Sequence, residues 1–197
     1  MDMLSWPATV VLVSAMSAGV AFHFDGSRAL RSRIGAAAAA GFLALLGLVV
    51  GGHTAPPALA ATVALLGAAA VIDLRTMRIP NAVSIGLAAG ALSGWAAGGA
   101  PLPALICAFA TGLIMLAAYS FGGTGAGDVK ALPSLVLAAT TPCAQLPTAA
   151  FVASSVLLAS FGITMALHQL GRMRVNEPVP LAPGLFLAGV AALAVYA

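Results

Sequence analysis

Charge in this chain is confined to a few short stretches, and that confinement limits its possible folds more than any other feature. Beyond Asp2, the charged residues form four groups: Asp25, Arg28, Arg31 and Arg33; Asp73, Arg75 and Arg78; Asp128 and Lys130; Arg172, Arg174 and Glu177. The intervening stretches 34–72, 79–127 and 131–171 contain no Asp, Glu, Lys or Arg. A helix that crosses a bilayer takes about 20 apolar residues, so each stretch holds a helix out and a helix back. Each is also interrupted near its middle by turn residues: Gly51 to Pro57, Gly98 to Pro101, and Thr141-Pro142 with Pro147. With only 7% charged residues, the chain cannot clothe a water-soluble globule, which carries about 25%. The expected fold is all-α, a polytopic transmembrane helix bundle of about eight membrane segments (six to eight).

The repeating unit of helix, neutral turn, helix and charged turn places apolar segments at 6–22, 35–51, 58–72, 82–98, 102–121, 129–141, 148–169 and 183–197. Residues 1–197 then form a single integral membrane domain. A short loop at 23–34 and two further loops, 73–81 and 122–130, lie on the charged side. All eight Lys and Arg fall after odd-numbered segments. By the positive-inside rule these loops face the cytoplasm, with both termini on the far side. Segments three and six are short for a hydrocarbon layer of ~30 Å; either their charged ends dip below the lipid surface or one of them does not fully span. The run from Trp6 to Phe22 lacks a basic region ahead of it and carries Asp2 there, so it reads as a retained first helix. A pI near 9.4 is accounted for by loop topology and contact with anionic lipid headgroups, without a nucleic-acid partner.

Several features have structural explanations. Gly86, Gly90, Gly94 and Gly98 recur at i, i+4 on segment four, as expected for close helix packing in lipid, with homodimerisation as the other use of such a face. Cys107 and Cys143 form no C-x-x-C pair, which argues against a zinc or redox motif. His23 and His168 fall at one membrane edge and His53 at the other, so no metal site and no cofactor is expected. Trp6, Trp95 and Tyr196 lie near segment ends, where amphipathic rings anchor helices.

Among the acids, Asp2, Asp25 and Glu177 belong to a terminus or to arginine-bearing loops. Asp73 instead ends the apolar run Leu65 to Ile72, and Asp128 follows the glycine-rich turn 122–127 directly before segment six. Helix capping would explain Asp128, and a salt bridge to Arg75 or Arg78 would explain Asp73. Two carboxylates at the mouth of a bundle also suit catalysis. Brought together they share a proton, one acting as acid and the other as base, which is the equipment for directing water at a peptide carbonyl. Gly125 and Gly127 would allow unusual backbone conformations and close approach of an extended peptide.

The run Asp73-Leu74-Arg75-Thr76-Met77-Arg78-Ile79-Pro80-Asn81, followed by Gly125-Ala126-Gly127-Asp128-Val129-Lys130, resembles the aspartic prepilin peptidase family of GxGD membrane proteases. The stretch 179–184 is similar to the proline-containing entry to that family's last helix. The resemblance implies catalytic roles for Asp73 and Asp128. It also implies motif support from Gly125, Gly127, Lys130, Arg78, Pro80 and Asn81, with Pro80 and Asn81 opening segment four and Asn81 as its N-cap. It further implies a prepilin or pseudopilin substrate that loses a short basic leader. The cysteine-bearing cytoplasmic zinc domain of long members has no counterpart in loop 23–34. The chain is therefore similar to the short forms of tight-adherence (Flp-type) pilus systems, and peptidase activity is expected without methyltransferase activity. Pro133 departs from the family pattern. The competing readings are a small proton- or solute-coupled transporter and a non-catalytic pilus or secretion assembly subunit.

Overall fold

The computed structural model describes residues 5–24, 30–51, 56–76, 78–121, 124–170 and 181–196. They form eight helices: α1 Ser5–Phe24, α2 Leu30–Gly51, α3 Pro57–Thr76, α4 Asn81–Ala97, α5 Leu102–Ser120, α6 Asp128–Thr140, α7 Leu146–Leu170 and α8 Ala182–Tyr196. Each corresponds to one expected segment, so charge spacing and turn residues located all of them. Asp2, Asp25, Arg28, His53, Arg172, Arg174, Glu177, residues 25–29 of loop 23–34, and positions 122–123 and 179–180 lie outside the described residues.

The bundle is built around α3 and α6, the two segments whose apolar runs are shortest. α3 packs against α1, α2, α4, α6 and α8, and α6 packs against α3, α4, α5, α7 and α8. This placement explains how α6 can be short. Its 13 residues rise about 20 Å at 1.5 Å each, less than the bilayer core, but protein rather than lipid surrounds it. Leu132, Leu135 and Val136 of α6 and Leu59, Val63 and Leu66 of α3 are fully buried in one core with Leu185 and Leu193 of α8. A second, alanine-rich cluster joins α1, α2 and α3 through Ala21, Ala36, Ala40, Ala68 and Val71.

The outer surface is as apolar as the interior. Phe109, Leu113 and Leu116 of α5, Phe151 and Leu158 of α7 and Ile85 of α4 are all exposed, which suits a lipid environment. Among the described residues, three helices, Pro57–Thr76, Leu102–Ser120 and Leu146–Ala166, are long and apolar enough to cross a membrane. Many hydroxyls inside the helices turn back onto the preceding turn, as in Thr111 Oγ1 to the Cys107 carbonyl at 2.8 Å and Thr140 Oγ1 to the Val136 carbonyl at 2.7 Å, whereas Ser17 Oγ donates across to the Ala64 carbonyl of α3 at 3.1 Å.

The glycine face of α4 divides into two parts. An added Cβ at Gly94 would collide with Ala58 of α3, and one at Gly98 would come within 2.7 Å of Thr141 Cγ2, whereas Gly86 and Gly90 face open space. The lower half of the stripe serves packing within the chain. At the α4–α5 turn Gly99 and Ala100 are both left-handed, with φ of 86° and 52°. The Ala100 N–H donates to the Trp95 carbonyl at 2.9 Å and Trp95 Nε1 donates to the Pro101 carbonyl at 2.9 Å. Trp95 thus fastens this turn, beyond its expected role as an anchor. Cys107 and Cys143 are buried free thiols.

Candidate active site

The two central helices end at one cavity. Asp73 lies in the last turn of α3 and Asp128 is the first residue of α6; they are 5% and 7% exposed. Both line a cavity of about 310 Å³ with Arg78, Ile79, Asn81, Tyr119, Gly125, Ala126 and Gly127. Positions 55 apart in sequence are therefore brought to a single site. The cavity draws on the end of α3, the α3–α4 link, the end of α5 and the α5–α6 turn.

Backbone amides orient each carboxylate. Asp73 Oδ2 accepts the Ala182 N–H at 3.2 Å. Ala182 opens α8, so its amide belongs to the donor end of a helix, where negative charge is favoured. Asp128 Oδ2 accepts the Gly125 N–H at 3.0 Å. Gly125 precedes the helix, so Asp128 closes the glycine turn onto itself rather than capping the amides of α6. Burial raises the Asp128 carboxyl to about 6, with a further upward push from the charge of Asp73 and an opposing pull from the Gly125 amide.

The glycines are needed for space. Gly127 has an ordinary helical φ of −68°, and Gly99 is the glycine found at positive φ among the described residues. The expected need for unusual backbone angles at Gly125 and Gly127 is thus corrected. A Cβ on Gly127 would come within 2.7 Å of Ile79 Cβ, and one on Gly125 would press on Asp128 Oδ2 at 3.0 Å.

Asn81 also differs from expectation. It is the first helical residue of α4; Pro80 holds the N-cap position, and no side chain caps the helix. The Asn81 amide oxygen instead accepts Lys130 Nζ at 2.8 Å, which ties the start of α4 to the start of α6 at the rim of the cavity. Arg78 is an exposed rim residue.

Sequence reasoning missed two contributors. Tyr119 brings a phenol to the cavity from the end of α5; its place nine residues before Asp128, at the end of an apolar run, was the available signal. Ala182 contributes only a backbone amide, which no side-chain pattern reveals. Among the described residues, no three His, Cys, Asp or Glu side chains group as metal ligands do.

Residues 60–163, from early α3 to late α7, match the family model described as the type IV leader peptidase family. The matched span contains both aspartates. No curated protein and no solved structure matches the chain.

Proposed function

Because the chain belongs to the type IV leader peptidase family, we propose that it is a membrane-embedded aspartic endopeptidase that removes the short basic leader from a prepilin or pseudopilin, including the Flp type, at the cytoplasmic membrane face. The observation that carries the reading is the meeting of two buried carboxylates, from distant sequence positions, in one cavity.

With one proton shared between them, the ionised aspartate takes a proton from water as the oxygen attacks the scissile carbonyl, while the protonated one gives its proton to the carbonyl oxygen. The tetrahedral intermediate then collapses. The proton gained from water passes to the leaving amine, and the carboxylate that gave its proton recovers one from the intermediate's hydroxyl, so the pair is restored. Gly125 and Gly127 let the turn close onto Asp128 and Ile79, which holds the acid at the cavity where the peptide is cut, and Arg78 supplies a donor at the rim. A basic leader is drawn to the acids and to anionic headgroups.

Incubating the purified protein in lipid nanodiscs with a prepilin tests this. Leader loss is expected from the native chain and at least 10³-fold slower cleavage from Asp73→Asn or Asp128→Asn, since neither can cycle a proton. Native-rate cleavage by either variant would overturn the two-carboxylate mechanism. Proton or solute flux dependent on the aspartates, with the prepilin left intact, would favour the transporter reading instead.

A further inference from the structure

We propose that the apolar groove between α4 and α5 seats the membrane-embedded helix of the peptide substrate, immediately beside the bond to be cut. The proposal rests on the peptidase reading above and adds to it the surface that recognises the substrate.

α4 and α5 follow one another in sequence, yet they hardly touch; α6 packs against both and forms a floor between them. The result is a groove of about 410 Å³, lined among others by Leu92 of α4, Gly112 and Leu116 of α5, and Val129 and Pro133 of α6. The fastened α4–α5 turn, with its two left-handed residues, holds the two helices at that separation. α5 and α6 meet closely at Gly112, where an added Cβ would lie 3.6 Å from Pro133 Cγ. Pro133, otherwise an unexplained departure from the family pattern, has no N–H for the Val129 carbonyl one turn back. An apolar groove of this kind, with Gly112 and the alanines of its walls among larger apolar side chains, fits one face of a helix packing in lipid.

The occupant follows from where the groove leads. On α6 the groove residue Val129 directly follows Asp128, and on α5 the groove residue Leu116 is one turn from Tyr119, which lines the acid cavity. A peptide extended across the two carboxylates therefore runs into this groove as it enters the membrane. A second apolar groove, of about 200 Å³ between α7 and α8, lacks that continuity. None of its lining residues adjoins a residue of the acid cavity in sequence, as Val129 adjoins Asp128, and it reaches Tyr196, whose hydroxyl donates to the Ala139 carbonyl at the other end of α6 from Asp128.

The test uses the full chain in nanodiscs with two substrates: a membrane-anchored prepilin, and a soluble peptide that spans the scissile bond but lacks the apolar helix. Leu92→Trp, which fills the groove, is expected to raise KM for the anchored substrate by roughly tenfold, through lost helix packing, and to leave the soluble peptide's kcat/KM unchanged. In parallel, benzoylphenylalanine replaces Leu116 or, as the control, Val195 of the other groove, with Asp128→Asn keeping the substrate whole. A cross-link from 116 to the substrate's apolar helix and none from 195 is expected. Equal cleavage of both substrates by Leu92→Trp and the native chain, or capture of lipid alone at 116, would overturn the proposal while the peptidase reading stands. Failure of the native chain to cut either substrate would overturn both. Should Leu92→Trp impair both substrates, the cross-link decides.

Discussion

Under the proposed mechanism, Asp128 is subject to two opposed demands. Burial and the nearby Asp73 favour its neutral form, while catalysis needs one carboxylate of the pair ionised. With its carboxyl raised to about 6, the pair keeps its shared proton below that pH and loses it above, so kcat for leader removal is expected to fall on the alkaline side with an apparent pKa near 6, a value belonging to the pair. A pH–rate profile checks this, and full activity sustained to pH 9 would contradict it. Stability should move the same way. The folded chain holds this proton more tightly than the unfolded one, so the associated stability is complete below about pH 4 and is lost as pH rises through 6. Asp128→Asn escapes the loss while keeping an acceptor for the Gly125 amide. It is expected to be more stable than the native chain by on the order of 2 kcal/mol at pH 8, with the gap closing by pH 4, as read from thermal unfolding. The glycines give a further contrast. Gly127→Ala drives a Cβ into the buried Ile79 and should cost about 1–3 kcal/mol of stability. Gly125→Ala presses only on a carboxylate oxygen and should lower kcat with a smaller change in melting temperature.

At the level of the element, the connections determine what the helices can do. The α4–α5 turn accepts Ala100 in a left-handed conformation, which costs a non-glycine residue roughly 1–2 kcal/mol. Ala100→Gly removes that cost but adds backbone freedom to the unfolded chain. It is expected to leave stability unchanged or raise it by up to about 1 kcal/mol, whereas Ala100→Val should lower it; thermal unfolding separates the two. The starts of α4 and α6 are tied by Lys130 and Asn81. A double-mutant cycle of Asn81→Ala and Lys130→Ala should give a coupling of about 0.5–1.5 kcal/mol. Additivity within error would mean that the bond carries no weight. Neither feature could be read from the chain alone. Asn81 looked like a cap because Asn is favoured there, but Pro80 takes that position and frees the Asn81 amide for a partner 49 residues away.

Across the whole molecule, the matched family region and the working unit are not the same. Residues 60–163 contain both aspartates, yet the amide that holds Asp73 comes from Ala182, and α8 fills the core against α3 and α6 through Leu185 and Leu193. A chain ending at Leu170 is therefore expected to lose both protease resistance and leader cleavage, although every motif residue is retained. By itself the sequence determined an all-helical bundle of about eight segments (six to eight), their limits to within a few residues, and the two acids left over once loop charges were assigned. These follow from spacing along the chain, because in lipid a charge or a turn must fall where an apolar run ends. The sequence could not determine which helices are central, how the glycines serve, that Tyr119 lines the acids' cavity, or that the Ala182 amide reaches Asp73. Those depend on which surfaces meet when eight similarly apolar helices pack together. Composition does not distinguish one such surface from another, and only the tertiary arrangement brings Asp73 and Asp128 into one cavity.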